Sequence, residues 1–138
     1  MYLKKFLICF FVILIFGCAN IENLTKDFGK LEDFDVTSRA YSHHIRWSEW
    51  DDAAIFLKST KEDTDLPDPE LMKMIKVTDY SIKKTAVSED QTQVVQIVEV
   101  QYYRNDRMVV QTIREKELWE WDTEKKKWEL STGLPKFK

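Results

Sequence analysis

Three polar side chains in the second half of the chain are the candidates for acid–base chemistry: Gln96, Gln111 and Glu115. A two-residue hairpin loop at Asn105-Asp106 predicts a strand register that sets Gln96 opposite Glu115, with Gln111 one pair further along the same face. Glu115 could then act as a base, and Gln96 could donate a hydrogen bond. The alternative, which we favour, is that this face of the sheet simply emerges into solvent, which also explains its polar residues.

Cys18 is the residue for which the sequence predicts a specific modification. A short cationic segment opens the chain, and an uninterrupted apolar run follows from Phe6 to Phe16. A membrane-spanning helix needs about 20 residues, so this shorter run is typical of a signal peptide. The sequence Ile15-Phe16-Gly17-Cys18 resembles a bacterial lipobox, in which the thiol accepts a diacylglycerol. The resemblance implies a signal peptide over residues 1–17 and lipidation of Cys18; the alternative is a plain amino-terminal membrane anchor.

Lipidation would also determine the cellular localisation of the protein. Two or three acyl chains, a palmitate among them, hold a protein stably on a membrane, whereas one chain does so only marginally. Ala19 follows the cysteine, which resembles the outer-membrane sorting class of lipoproteins. We therefore expect a lipid-anchored protein on the exported side of the cell membrane, or of the outer membrane and facing the periplasm if there are two membranes.

The adjacent pair His43-His44 invites a metal or general-base interpretation. Neighbouring residues on a helix point about 100° apart, so the two rings cannot chelate one ion together. Cys9 leaves with the signal peptide and Cys18 is acylated, so no thiol remains for zinc or for nucleophilic catalysis. The mature sequence also has no Gly-rich phosphate loop. The sequence therefore predicts no metal and no cofactor.

The composition indicates one acidic domain. The chain has 138 residues, of which 43% are hydrophobic and 33% charged, which excludes a disordered tail and a disulfide-dense miniprotein. It carries 21 basic and 24 acidic residues, and loss of Lys4 and Lys5 with the signal peptide makes the balance more acidic. A nucleic-acid binder needs a cationic surface, so we expect no nucleic-acid partner.

Hydrophobic periodicity divides the mature chain into a tether and one domain over residues 37–138. Residues 18–36 are polar and acidic, and we predict a tether there, with a short docking helix as the alternative. Helices are predicted over 37–47 and 49–58 with a bend at Ser48, and a shorter helix begins at Pro69. Runs rich in Val, Ile, Thr, Tyr and Trp predict four strands, at 75–87, 92–104, 107–121 and 127–132.

Hairpin loops predict that the four strands form an antiparallel meander. The loop at Asn105-Asp106 pairs Tyr102 with Val109, and the last hairpin pairs Trp121 with Trp128. The first hairpin is open to two interpretations, because a slip of one residue exchanges the two faces of the sheet. A three-residue loop opposes Val98 with Ile82, whereas a two-residue loop opposes it with Ser81; we prefer the former.

Helices followed by one long bent sheet indicate an α+β fold. The segment from Tyr41 to Leu57, with its bend between Trp47 and Trp50, and the terminal run from Trp119 to Pro135 resemble the cone of the nuclear transport factor 2-like superfamily. They are similar to a group of uncharacterised bacterial lipoproteins with that cone. A cystatin-like domain, one helix wrapped by a similar meander, is the alternative.

These features favour a non-enzymatic binding or assembly module of the cell envelope. The alternative is a small-molecule-binding protein or an enzyme, because the ketosteroid isomerases and related dehydratases share the cone. That alternative needs an apolar pocket containing Glu115 or another acid, and a cone filled by its own aromatic side chains would exclude it.

We expect a protein partner or a second copy on the outer sheet face, which carries Val95, Ile97, Tyr103, Val110 and Leu118. An open edge at strand 75–87 or 127–132 could instead take a partner strand.

Overall fold

A computed structural model describes residues 21–59 and 67–138 of the chain. The chain divides into two compact units, Met1–Glu32 and Asp33–Lys138. In the first unit the described residues, 21–32, are helical. Cys18 and the predicted signal peptide lie outside the described residues, and none of the described helices is long and apolar enough to cross a membrane.

Helices precede strands along the chain, as the sequence predicts. The Asp68 carboxylate caps the short helix that begins at Pro69, accepting a hydrogen bond of 3.0 Å from the Glu70 amide.

The strands form one open antiparallel sheet in the order β1-β2-β3-β4, so the α+β class is confirmed. The elements are α1 (Ile21–Trp47), α2 (Trp50–Ala54), α3 (Pro69–Met74), β1 (Ile75–Val87), β2 (Gln93–Arg104), β3 (Gln111–Asp122) and β4 (Lys127–Leu130).

The segment predicted as a tether is helical from Ile21 onward, and α1 runs without a break to Trp47. The packing of Phe34, near the end of that segment, is a physical reason for its helical conformation. Its buried ring meets the rings of Trp119 and Trp128 edge to face, with centroids 5.9 and 5.1 Å apart. Packing of this kind stabilises helical turns that a polar sequence does not favour alone. A membrane-tethering role for residues 18–36 stays a prediction.

The bend at Ser48 is confirmed, since this residue takes a left-handed φ of 57° directly after α1. The prediction of a helix over 49–58 is wrong beyond Ala54, where α2 ends. The next residues pair with β4: the Lys58 amide donates to the Leu130 carbonyl, at 2.8 Å, and the Leu130 amide donates to the Phe56 carbonyl, at 2.7 Å. An edge strand has unpaired backbone groups, and here they bind this segment in extended form.

The predicted pairings in the first and last hairpins are confirmed: Ile82 pairs with Val98, and Trp121 pairs with Trp128. The three-residue loop predicted for the first hairpin is wrong, because the loop covers residues 88–92 and the register shifts by one residue between Ile82 and Lys84. The middle register is wrong, because Tyr102 pairs with Gln111 instead of Val109.

The middle hairpin has a longer loop than its sequence suggests, covering residues 105–110. The Arg104 guanidinium binds the Asp106 carboxylate at 2.7 and 3.0 Å, and Met108 takes a left-handed φ of 53°. This ion pair and turn replace the two-residue loop. The register shifts by two residues, so each side chain keeps its predicted face but gains a different partner across the sheet.

The core lies between α1 and the inner face of the sheet. Tyr41 of α1 is at its centre, edge to face with Trp119 at 5.2 Å and with Phe56 at 5.9 Å between ring centroids. Such aromatic pairs add to the free energy gained by burying their area. The largest fully buried side chains are Trp119, Trp128, Tyr41, Tyr80, Tyr102, Ile45, Ile75, Leu130, Val94, Val98 and Val100.

Candidate functional site

A polar pair lies within this apolar core. Gln96 of β2 is directly opposite Glu117 of β3, and both side chains are buried at 3% exposure. The Gln96 side-chain carbonyl accepts a hydrogen bond of 3.1 Å from the Ser38 hydroxyl of α1. Gln96 is therefore buried and hydrogen-bonded, so the prediction that it lies at a solvent-facing end of the sheet, opposite Glu115, is wrong.

Glu117 is the buried acid of this interior. Its carboxylate accepts hydrogen bonds from the Tyr80 hydroxyl, at 2.7 Å, and from the Trp119 indole N–H, at 3.3 Å. Burial raises the pKa of Glu117 from its ordinary value to about 7, and the negative charge of Glu115 also raises it, while the two hydrogen bonds act in the opposite direction. Near neutral pH this carboxyl therefore exists in both protonation states.

Tyr41 completes what we call the buried acid cluster, namely Glu117, Tyr80, Trp119 and Tyr41. The Tyr41 hydroxyl is buried and has no hydrogen-bond partner among the described residues. Burial raises the pKa of Tyr41 well above its ordinary value, and the charges of Glu117 and Glu115 add to that effect. The hydroxyl therefore stays protonated, and it is an unsatisfied donor inside the core.

Aromatic side chains fill the space around this cluster. A cleft of about 20 Å³ lies beside it, lined by Glu115 and Glu117 of β3 and by residues 132–136. That volume holds about one water molecule. A carboxyl with a pKa near 7 can serve as a general acid or base, but this cleft is too small for a substrate larger than water.

Residues Gly133–Lys138, which we call the C-terminal strap, pack against the core through Leu134 and Phe137. Phe137 packs edge to face on Tyr102 and Trp50, with centroid distances of 4.8 and 5.3 Å. Gly133 takes a φ of 80° at the start of the strap, a conformation that glycine adopts without strain. Leu134, Pro135 and Phe137 of the strap are buried.

Two of the predicted site residues hold the strap. The Glu115 carboxylate accepts a hydrogen bond of 3.3 Å from the Lys136 amide. The Gln111 side-chain carbonyl accepts one of 2.7 Å from the Tyr102 hydroxyl, which itself accepts one of 3.2 Å from the Lys138 amide. The structure therefore does not bring Gln96, Gln111 and Glu115 together as one catalytic set.

Glu117 was not among the predicted site residues, although alternation along β3 places it on the same face as Glu115 and Trp119. The register error explains this omission, since a shift of two residues moved the partner of Gln96 from Glu117 to Glu115. The sequence feature that could have indicated Glu117 is its position between Ile113 and Trp119, two apolar residues on the inward-facing side of β3.

A second group of ligand-type side chains lies on the surface at the Ser48 bend. His44, Glu49 and Asp52 each offer one nitrogen or oxygen atom, and these atoms all lie within 4.8 Å of one another. The His44 Nδ1 is 2.7 Å from a carboxylate oxygen of Glu49. His43 is not a member of the group, as expected for adjacent helical residues, and its exposed ring lies 6.2 Å from that of Trp47.

The edge of β1 is covered along only part of its length. The Ser48 hydroxyl accepts from the Val77 amide at 3.2 Å, and the Arg46 guanidinium donates to the Tyr80 carbonyl at 2.6 Å. Further along the strand, the side chains of Ile82 and Val87 are 44% and 45% exposed. The second half of β1 is therefore the more accessible edge.

The outer sheet face combines apolar and charged side chains. Val95, Ile97, Tyr103 and Leu118 are half-buried there. Glu99 lies among them and forms ion pairs with Lys83 at 3.4 Å and Arg114 at 3.3 Å. Val110, which we predicted on this face, lies instead in the loop of the middle hairpin and is exposed.

Comparisons of the chain with protein-family models, with curated proteins and with solved structures find no match.

Proposed function

We propose that this chain is a membrane-anchored lipoprotein of the cell envelope that acts as a non-enzymatic binding or assembly module. The observation that carries the proposal is the filled interior: Tyr41, Trp119 and Phe137 are buried and pack edge to face with other aromatic rings of the core. The lipobox ending at Cys18 supports membrane anchoring on the exported side. Function then falls to the surfaces of the domain.

The finer fold that we propose is the nuclear transport factor 2-like cone. Register shifts between Val77 and Asp79 and between Ile82 and Lys84 support it, because bulges bend a strand and increase its twist. The Ser48 hydroxyl at the helix bend accepts a hydrogen bond from the Val77 amide, so the bend packs against the edge of β1. A cystatin-like domain stays the alternative proposal.

The outer sheet face is the surface that we propose for a protein partner or a second copy. It presents Ile97 and Leu118 at half-burial, and their neighbours include charged groups that could set the register of a contact. Acylated Cys18 would bind the membrane lipid.

A photoreactive amino acid at Ile97 of the membrane-anchored full chain tests this surface. We expect irradiation to give one dominant cross-linked product, containing either a second copy or one other protein. The same amino acid at Lys126, in the exposed turn of the last hairpin, is the matched control and should give no such product. Equal products at both positions, or none at Ile97, would contradict the proposal.

A specific observation favours a second candidate function, a small-molecule carrier or enzyme. The unpartnered Tyr41 hydroxyl and the carboxyl of Glu117 are the kind of buried polar groups that orient a ligand. The small cleft beside Glu117 is lined partly by the C-terminal strap, so removal of the strap would widen it. Binding of an apolar fluorescent probe that rises when the strap is removed would support this candidate.

A further inference from the structure

The Ser48 bend folds the chain back so that three ligand-type side chains meet at one corner. His44 lies in the last turn of α1, and Glu49 is the residue that caps α2. The Glu49 amide donates to the His44 carbonyl, at 2.9 Å, which fixes the distance between their backbones. Asp52 is the third residue of α2 and lies about one turn beyond Glu49. The proximity of these three side chains therefore depends on the left-handed conformation at Ser48.

The spacing of the three ligand atoms suits a small divalent cation. All of them lie within 4.8 Å of one another, whereas ligands around a tetrahedral zinc ion are separated by about 3.4 Å, given bonds of about 2.1 Å. Small side-chain rotations would bring the atoms to that separation. Glu49 already contacts the His44 Nδ1 at 2.7 Å, the nitrogen that would face the ion.

The ligand types distinguish among cations. Calcium and magnesium take oxygen ligands almost exclusively, whereas imidazole is a preferred ligand of zinc. Two carboxylates and a neutral imidazole carry two negative charges, which a divalent ion neutralises. The His44 side chain is 26% exposed and lies 6.0 Å from the Phe56 ring, so one side of the imidazole is packed while the site stays open to solvent.

We propose that His44, Glu49 and Asp52 form a binding site for Zn²⁺, with water as the fourth ligand. The bound ion would connect the last turn of α1 to α2 across the bend. The proposal is independent of the proposed function, because it rests on this corner alone.

Calorimetric titration with zinc chloride tests the site, using the purified full chain in detergent. Cys9 and Cys18 are replaced by serine in every sample so that their thiols do not compete for zinc. We expect one ion per chain, and we expect His44→Ala, Glu49→Gln and Asp52→Asn each to weaken binding by at least about tenfold. His43→Ala is the matched control and should change the affinity less than about twofold.

Thermal unfolding provides a second readout that also reports whether each variant is folded. Zinc should raise the midpoint of the parent chain and of His43→Ala, but not that of the isosteric Glu49→Gln. The proposal is overturned if the parent chain shows no saturable binding at submillimolar zinc. It is also overturned if His43→Ala weakens binding as much as His44→Ala, because the ion would then bind without this geometry.

Discussion

At the scale of single residues, Glu117 has the largest consequence for how this protein responds to pH. Its two hydrogen-bond donors, Tyr80 and Trp119, are neutral, so they only partly offset the loss of hydration. The folded chain retains a proton that the unfolded chain releases between pH 4.5 and about 7. The contribution of this carboxyl to stability is therefore fully present below this window and is lost as the pH rises through it, by an amount on the order of 3 kcal/mol.

Replacing Glu117 by glutamine should remove this pH dependence. Glutamine stays neutral and its carbonyl can still accept from the Tyr80 hydroxyl, so the variant should be more stable than the wild type at pH 8 and similar at pH 5. Urea unfolding at several pH values measures the difference. Glu124→Gln, at an exposed turn position, is the control and should follow the wild type. Parallel curves for Glu117→Gln and the wild type would contradict the interpretation.

A second prediction at this scale concerns Cys18. We expect Cys18→Ser to abolish lipidation, because a serine hydroxyl is a far weaker nucleophile than a thiol at neutral pH. Metabolic labelling with a clickable fatty acid measures this directly: the wild type should take up label and the variant should not. Equal labelling of both proteins would show that the lipobox interpretation is wrong.

At the scale of elements, the C-terminal strap should contribute a large share of stability. Truncating Phe137 removes a buried ring that packs on Tyr102 and Trp50, so Phe137→Ala should cost roughly 3–5 kcal/mol of the free energy of unfolding. Lys138→Ala is the control, since it keeps the backbone N–H that binds Tyr102. Denaturant unfolding compares them, and a loss below about 1 kcal/mol for Phe137→Ala would mean that the strap is only loosely attached.

Elements with strong local patterns were predictable from the sequence. Alternating aromatic residues defined the last hairpin, and the first register was selected because it pairs Tyr80 with Val100, which are both buried. The middle hairpin was not predictable in this way, because its loop depends on an ion pair between Arg104 and Asp106. The end of α2 was also not predictable, since β4 binds Phe56 and Lys58 through backbone groups that no side-chain pattern reveals.

The candidate site was predictable only in outline. Strand alternation placed Gln96 and Glu115 on the inner face, but the residue opposite Gln96 depended on the register of the middle hairpin. The roles of Gln111 and Glu115 depended on the strap, whose position follows from long-range packing. Glu49 and Asp52 reach His44 because Ser48 turns the chain, and the sequence indicated the bend without its handedness.

At the scale of the whole molecule, we expect the domain to self-associate through the outer sheet face or to bind a partner there. If a second copy is the partner, analytical ultracentrifugation should show a dimer that Ile97→Glu disrupts, because a charge would be buried at the contact. Lys126→Glu, in the last hairpin turn, is the control and should leave the dimer intact. A monomer at high concentration would contradict self-association.

The pairing of Leu57 with Leu130 has a consequence for the order in which the chain can fold. These residues are far apart in sequence, as are Tyr41 and the Trp119 ring that covers it, so the contacts that complete the core form only after a long loop closes. During synthesis the amino-terminal helices therefore emerge well before the strands that bury them. If the chain is exported as we propose, this delay is useful, because a translocation channel accepts an unfolded chain, and the native structure would be completed on the far side of the membrane.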